Sequence, residues 1–200
     1  MERDGFPRVA KLKDGSSVEI AQASAADGPG LLAFYRSLSE EDRLVLQDDV
    51  TTPGWLARFL AKLESGAATS LVARADGQIC GEATLNRNLH GWSRHVGEIR
   101  LNVASSQRGK GVGYALAAGV VKLAIDLGLE KMVAYFVESQ VAARKTFERL
   151  GFRKEAELAR QVADIRGARR NLLVYANDVS HIWSAMEALV EEDYRPHEGQ

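Results

Sequence analysis

The chain has 200 residues, of which 46% are hydrophobic and 26% charged, and its net charge is −1. This length and balance are typical of one globular domain with a complete hydrophobic core. The near-zero charge, without a basic arm, argues against nucleic-acid binding, and charged residues interrupt the longest apolar stretch, so we expect no membrane span.

Two features predict a cytoplasmic protein. The first residues, Met1-Glu2-Arg3-Asp4, lack the apolar segment of a secretory signal. Cys80 is the single cysteine of the sequence, which excludes an internal disulfide and fits a reducing compartment. Because Cys80 lies in an apparent strand, we predict a small buried residue there rather than a nucleophile.

The first quarter of the chain predicts one strand and two helices. Residues 1–17 are polar and predict an N-terminal arm, either loose or folded as an edge hairpin around Asp14-Gly15. A first strand is predicted at 18–21, and Asp27 is a candidate cap for the helix that follows. Thr52-Pro53 is a strong start for the second helix, because proline suits the first helical position.

Strands dominate the next part of the sequence. Alternating runs at 70–75 and 78–85 flank Asp76-Gly77, and this arrangement predicts a β-hairpin. A polar loop follows, and residues 95–103 then alternate again, which predicts another strand.

Three glycines at alternate positions, Gly109, Gly111 and Gly113, connect this strand to a long apolar helix that Gly128 ends. Glycine lets backbone N–H groups turn toward a ligand, and the start of a helix carries a partial positive charge. A tight turn accounts for one glycine but hardly for three, so we predict a phosphate-binding loop.

Two common phosphate loops fit this motif poorly. A Walker loop needs Lys-Ser/Thr after its last glycine, whereas Tyr114-Ala115 follows Gly113. The dinucleotide fingerprint lacks its third glycine here. Glu138, after the next strand, could still serve as the ribose-binding acid of that fingerprint, so a dinucleotide-binding fold stays open as an alternative.

The last part of the chain predicts one more strand and helix, then a hairpin. A buried strand is predicted at 131–137, and the helix after it ends at Gly151-Phe152. Two antiparallel strands are predicted at 155–165 and 169–176. A final helix over 178–193 carries an apolar stripe that must pack either on the chain itself or on a second subunit, which makes a homodimer one of two alternatives.

The motif R-x-x-G-x-G behind a strand, formed by Arg108, Gly111 and Gly113, resembles the acyl-CoA pyrophosphate loop of the GNAT superfamily of N-acetyltransferases. The sequence Leu-Gly-Phe after the next helix resembles the closing half of the same core. The predicted order β-α-α-β-β-β-α-β-α-β-β is similar to the GNAT arrangement over residues 18–177. We therefore expect a mixed α/β, GNAT-like sheet with flanking helices, and residues 178–200 as an extra C-terminal helix and tail.

The resemblance implies direct transfer of an acetyl group from acetyl-CoA to a primary amine of a small molecule or a protein, without a metal. It implies that one backbone N–H of the strand polarises the thioester carbonyl. The cofactor-binding residues that the resemblance implies are the strand segment Leu101, Asn102 and Val103, the loop Arg108, Gly109, Lys110, Gly111, Val112 and Gly113, and Gln140 on the later helix.

Glu98 is the candidate catalytic base, because members of this family often carry a glutamate on the corresponding strand. Transfer to an amine requires that the amine lose a proton, which a positioned carboxylate accepts. The alternative is that Glu98 forms an ion pair with Arg100, two residues along the same strand face. His95 is the second candidate base.

One residue departs from the family pattern. A tyrosine usually protonates the leaving thiolate, and Phe147 occupies its position. Tyr114 and Tyr135 are candidate acids, with core packing as the alternative for both. The departure keeps a second function open, a catalytically weak acyl-CoA-binding or sensor module. Asp48-Asp49 could border the acceptor site or form a solvated turn.

Overall fold

The computed structural model describes residues 5–182. The strands are β1 (Arg8–Lys11), β2 (Ser17–Gln22), β3 (Ala68–Ala75), β4 (Gln78–Arg87), β5 (Val96–Val103), β6 (Lys131–Val137), β7 (Arg153–Ala163) and β8 (Arg169–Asp178). The α-helices are α1 (Gly28–Ser37), α2 (Glu40–Leu44), α3 (Pro53–Ser65), α4 (Val112–Asp126) and α5 (Val141–Arg149). Among the described residues, no helix is long and apolar enough to cross a bilayer.

The strands form one sheet in the order β1-β2-β3-β4-β5-β6-β8-β7. Neighbouring strands are antiparallel except β5 and β6, which run parallel and are connected through α4. A parallel pair needs such a crossover, whereas antiparallel neighbours need only a short turn. This architecture confirms the predicted mixed α/β class.

Local signals in the sequence explain where several elements begin and end. The Thr52 hydroxyl accepts a hydrogen bond from the Trp55 amide at 3.2 Å, so Thr52 caps α3 as predicted. Gly128 ends α4 with φ 68°, and Asp76-Gly77 turns β3 into β4. The structure confirms these three predictions. The sequence could make them because each signal depends on neighbouring residues alone.

The N-terminal segment adopts one of its two predicted alternatives. Residues 8–11 form β1, which pairs with β2 through a turn at Asp14-Gly15, so the segment is the edge hairpin rather than a loose arm. One helix was not predicted: Glu40–Leu44 forms the short helix α2, capped by the Ser39 hydroxyl, which accepts from the Asp42 amide. A period of 3.6 residues is hard to recognise over so few positions.

Two hydrophobic clusters lie on opposite faces of the sheet. The larger cluster packs α4 and α5 on one face, with Leu116, Val120 and Phe147 fully buried. The smaller cluster packs α1 and α3 on the other face, around Tyr35 and Trp55. The sheet thus lies between the two pairs of helices, and each of its faces offers a separate environment for a ligand.

Strands β5 and β6 pair at three positions only. Val96, Gly97 and Glu98 face Lys131, Met132 and Val133, and the described pairing ends there although both strands continue. On its other side, β5 stays hydrogen-bonded to β4 as far as Val103, and β6 stays hydrogen-bonded to β8 as far as Val137. The two strands therefore separate into an opening that leads toward the start of α4.

The predicted burial of Cys80 is confirmed, and burial raises the pKa of its thiol. At the other end of the chain, Val179 and Ile182 are buried in the larger cluster. The rest of the helix predicted over 178–193 lies outside the described residues.

Candidate functional site

The predicted phosphate loop follows β5 at the mouth of the β5–β6 opening. Gly109 and Gly111 have φ values of 76° and 106°, in the left-handed region that only glycine adopts readily. Within residues 5–182, the amides of Gly109, Lys110 and Gly111 donate to no protein acceptor. The first amides of α4 lack an acceptor within the helix, as at any helix start. The loop therefore presents a row of free donors, which suits an anion.

The two cationic side chains of the loop are held by acidic partners. Arg108 forms an ion pair with Asp42 of α2 at 2.7 Å and donates from Nε to the Val103 carbonyl at 3.1 Å. Lys110 forms an ion pair with Asp14 of the N-terminal hairpin at 3.3 Å. The loop is thus fixed on both sides before any ligand binds.

The remaining predicted cofactor residues lie around the same opening. Leu101 and Val103 line the start of α4, since a Cβ on Gly113 would lie 3.5 Å from a side-chain carbon of each. Asn102 points to the opposite face, where its amide donates to the Tyr35 hydroxyl at 3.4 Å. Gln140 accepts a hydrogen bond from the Val137 amide at 2.8 Å, which closes the end of β6.

Glu98 lies on the face of the sheet that α1 and α3 cover. It accepts hydrogen bonds from Arg100 Nε at 2.7 Å and from Gln47 Nε2 at 3.2 Å. Arg100 also contacts Asp48 at 3.0 Å, so it bridges two carboxylates. The ion pair expected as the alternative for Glu98 is therefore present, and Asp48 belongs to the same network. Asp49 does not join it, because it accepts from the Thr51 amide and hydroxyl in a local turn.

Phe147 belongs to the hydrophobic core. It is 1% exposed, and its ring lies 5.1 Å from the rings of both Phe136 and Phe152. Tyr114 is partly buried against the same core. Tyr135 is half-buried on β6. Val133, two residues earlier on β6, is the parallel partner of Glu98, so Tyr135 lies on the same face of the sheet as Glu98.

A pocket of about 150 Å³ opens on this face, between the sheet and helices α1 and α3. Its floor consists of Glu82, Thr84 and Asn86 on β4 with Arg100 and Asn102 on β5. Its apolar wall consists of Tyr35, Trp55 and Phe59, with Tyr35 and Trp55 edge to face at 4.9 Å. A larger cavity of about 510 Å³ lies around 87–95, at the opposite end of β5 from the phosphate loop.

Glu82 is the most unusual residue of the pocket, because a carboxyl group that is 1% exposed occupies its floor. Ser70 donates to Oε1 at 2.5 Å, Tyr35 donates to Oε2 at 2.8 Å, and Thr84 also donates to Oε1. Burial raises the pKa of Glu82, and these three hydroxyls partly oppose the shift. Burial, together with the charge of Glu82, raises the pKa of Tyr35 well above its usual range.

Two cations lie at the edge of the pocket on α3. Arg58 and Lys62 are one helical turn apart, and both line the pocket. Neither side chain forms an ion pair or hydrogen bond with another residue in the described part of the chain. The pocket therefore combines a buried carboxyl group at its floor with two available cations at its edge.

The sequence prediction missed Glu82, Tyr35, Arg58 and Lys62. A signal for Glu82 existed, since a charged residue interrupts the small and apolar run Cys80-Gly81-Glu82-Ala83 inside a predicted strand. Arg58 and Lys62 lie on the polar side of a predicted amphipathic helix, where most cations face solvent, so nothing in the sequence distinguishes them. Among the described residues, no group of three or more metal-ligating side chains is present.

Comparison with known proteins agrees with this arrangement. Residues 31–152 match the sequence model of the acetyltransferase (GNAT) family. An L-methionine sulfoximine/L-methionine sulfone acetyltransferase of Pseudomonas paraeruginosa is 30% identical over 139 residues, which cover 68% of this chain and 80% of that protein.

Solved structures give the same result. A ribosomal-protein-alanine N-acetyltransferase from Brucella melitensis is 25% identical and has a TM-score of 0.71, covering 80% of this chain and 98% of its own. A GCN5-related N-acetyltransferase from Kribbella flavida is 27% identical, with a TM-score of 0.68 and coverage of 80% and 97%. The chain belongs to the GNAT family and is an acetyltransferase that transfers an acetyl group from acetyl-CoA to an amine.

Proposed function

We propose that the protein acetylates the α-amino group of a small amino acid that binds in the pocket between α1, α3 and the sheet. The observation that carries this proposal is the pair Arg58 and Lys62, two cations without protein partners among the described residues. A carboxylate is the complementary anion, and an Arg side chain binds it with two parallel hydrogen bonds.

The dimensions of the pocket support a small acceptor. A volume of about 150 Å³ leaves room for a compact molecule rather than for a folded chain terminus with its neighbours. The aromatic wall of Tyr35, Trp55 and Phe59 suits the apolar part of a side chain. The relative from Pseudomonas paraeruginosa is named for two such acceptors, L-methionine sulfoximine and L-methionine sulfone.

The phosphate loop and the β5–β6 opening are the proposed site of acetyl-CoA. The residues assigned to it are those that the sequence predicts, the strand segment Leu101–Val103, the loop Arg108–Gly113, and Gln140. The free amides of Gly109, Lys110 and Gly111 fit a pyrophosphate, because each is a donor without a protein acceptor in the described structure. Most of these contacts are made by backbone, so their strength depends on loop conformation more than on side-chain identity.

Glu98 remains the candidate base. It lies on the same sheet face as the pocket, but beyond the floor formed by Glu82, Thr84 and Asn86. Because Glu98 does not line the pocket, a chain of bound waters along this face of the sheet would have to carry the proton of the amine to it. No described side chain other than Arg100 and Gln47 hydrogen-bonds to Glu98, so one of its oxygens is available to water.

A panel of acceptors tests the proposal. Release of the coenzyme A thiol and the mass of the product should be measured for free amino acids, for the same amino acids as carboxamides, and for peptides with free N-termini. We expect the free amino acids to react best, with kcat/KM at least about tenfold above the carboxamides, because only they carry the carboxylate. Peptides that react better than free amino acids would contradict the proposal.

A matched pair of variants shows whether Arg58 and Lys62 cause this preference. Replacing both by alanine should raise KM for the amino acid by roughly tenfold and leave KM for its carboxamide nearly unchanged. Lys145→Ala is the control, because Lys145 is an exposed cation on α5, outside the pocket. An equal effect of the double variant on both acceptors would remove the carboxylate contact from the proposal.

A further inference from the structure

Glu82 is a buried carboxylate whose described partners are all neutral. Its contacts are the hydroxyls of Ser70, Thr84 and Tyr35 and the side-chain amide of Asn102, and within residues 5–182 no lysine or arginine forms an ion pair with it. Buried carboxylates in proteins are normally paired with a cation or bound to a metal. The described part of the protein therefore supplies hydrogen-bond donors to Glu82. It does not supply a positive charge that would balance an ionised Glu82.

The position of Glu82 in the fold shows that the missing charge could come from a ligand. Glu82 lines the floor of the pocket, although only 1% of the residue is accessible. Its cross-strand partner on β5 is Asn102, in the middle of the segment proposed to contact acetyl-CoA. Glu98 comes four residues before Asn102 on β5. In an extended strand this separation is about 13 Å, and Glu98 does not line the pocket.

We propose that Glu82, together with the Tyr35 hydroxyl, is the binding site for the protonated amino group of the acceptor. This inference rests on the proposed function, since it assigns the second end of the same amino acid. The ammonium group lies at the floor beside Asn102, and the carboxylate points to Arg58 and Lys62 at the edge. A zwitterion in this orientation places each of its charges opposite a charge of the pocket.

The other charged groups around the floor do not already neutralise Glu82. Arg100 of β5 is engaged by Glu98 and Asp48. Arg58 and Lys62 lie on α3 at the edge, and Tyr35 on α1 is a donor to Glu82 rather than a charge. Burial raises the pKa of Glu82, and burial together with the charge of Glu82 raises the pKa of Tyr35, so a cation at the floor would favour the charged form of the carboxyl group.

Glu82→Gln is the direct test, with acetylation of the best amino acid from the acceptor panel as the assay. We expect KM for the amino acid to rise at least tenfold or so, with a smaller change in kcat and an unchanged Kd for acetyl-CoA. Tyr35→Phe should raise the same KM by a smaller factor, because it removes one hydrogen bond and keeps the carboxylate. Glu64→Gln is the matched control, since Glu64 is an exposed carboxylate on α3 that does not line the pocket, and it should leave KM for the amino acid unchanged.

A second measurement starts from the wild-type enzyme, where the packing of a new amide side chain plays no part. The α-hydroxy acid analogue of the acceptor keeps the carboxylate and side chain but has no ammonium group. In the wild-type enzyme it should inhibit with a Ki at least about tenfold above the KM of the amino acid, and Glu82→Gln should abolish this difference.

Equal binding of the hydroxy acid and the amino acid by the wild-type enzyme would overturn the inference. An unchanged KM in a folded Glu82→Gln enzyme that binds acetyl-CoA normally would overturn it as well. Failure of the wild-type enzyme to acetylate any amino acid would instead contradict the proposed function itself, so the two failures are distinct.

Discussion

The two faces of the sheet are built on different principles. On the cofactor side, α4 and α5 cover an almost continuous apolar cluster, and the candidate ligand contacts are backbone amides of one loop. On the acceptor side, α1 and α3 cover a strip of polar residues, and the candidate contacts are side chains. In our proposal, one sheet thus separates the binding of a phosphate group by backbone amides from the selection of an amine by side chains.

The polar strip has a regular register. Three cross-strand pairs of β4 and β5 compose it, Glu82 with Asn102, Thr84 with Arg100, and Asn86 with Glu98. Facing residues in an antiparallel pair lie close enough to interact directly, so the strip acts as one network. A change in one member therefore alters its neighbours, whereas the loop amides on the other side are independent of side-chain identity.

The largest effect is expected in the loop. Gly111→Asp should lower the affinity for acetyl-CoA more than roughly 100-fold, because it strains a φ of 106° and adds negative charge where we place the pyrophosphate. Bulk contributes little, since the nearest side-chain atom, Lys13 Cγ, would lie 3.9 Å from the new Cβ. Isothermal titration of the folded variant measures the loss.

Gly167→Asp is the matched control for this change. Gly167 has a φ of 81° in the turn before β8, and a Cβ there would meet no atom within 4 Å. It should share the backbone strain and keep the affinity for acetyl-CoA. Equal losses in both variants would assign the effect to folding rather than to the phosphate site.

The second effect separates the two carboxylates of the polar strip. Glu98→Gln should lower kcat/KM for the amino acid by roughly 100-fold, through kcat rather than KM, if Glu98 accepts the proton. Activity should partly return at high pH, where more of the amine is neutral. Steady-state kinetics over a range of pH check this, and a Glu98→Gln enzyme with wild-type kcat at neutral pH would reduce Glu98 to the ion-pair partner of Arg100.

A smaller effect is expected for Arg108→Ala. The Arg108 side chain contacts Asp42 and the Val103 carbonyl, whereas the proposed contacts to the pyrophosphate come from the free amides of the loop. We therefore expect a loss of several-fold in acetyl-CoA affinity, through weaker positioning of the loop. Asp42→Asn should produce a similar loss, because it breaks the same ion pair from α2. A loss as large as that of Gly111→Asp would mean that the guanidinium itself binds the phosphate.

The smallest effect concerns stability. Burial raises the pKa of Glu82 above the value of about 4.3 that a glutamate has in an unfolded chain. As pH rises above that value, the unfolded chain releases the proton first, so this group contributes less to stability at neutral pH than in acid. Glu82→Gln should therefore unfold at an equal or higher urea concentration than wild type at neutral pH.

This advantage should disappear below about pH 4, where Glu82 becomes protonated in both states. Urea unfolding midpoints at several pH values measure it. An advantage that instead grows in acid would mean that the native state favours the charged carboxylate. A buried charge that costs stability when no ligand is present is what the ammonium site requires.

Short-range signals explain most of what the sequence predicted correctly. The cap at Thr52-Pro53, the turn at Asp76-Gly77 and the end of α4 at Gly128 are each determined by adjacent residues. The glycine turns before α4 belong to the same group, because their glycines stand together in one motif, whereas phosphate binding by this loop remains a prediction. The division into 1–17, 18–177 and 178–200 remains a prediction.

The family and the mixed α/β class could both be predicted from the sequence, because each is encoded in consecutive residues or in a regular period. The pocket could not, since Tyr35, Arg58, Glu82 and Asn102 come from four separate elements that only folding brings together. The separation of β5 and β6 after three pairs, and the burial of Glu82 without a cation among the described residues, likewise emerge only in three dimensions. Contacts of this kind depend on strand order and register, which no local pattern of residues specifies.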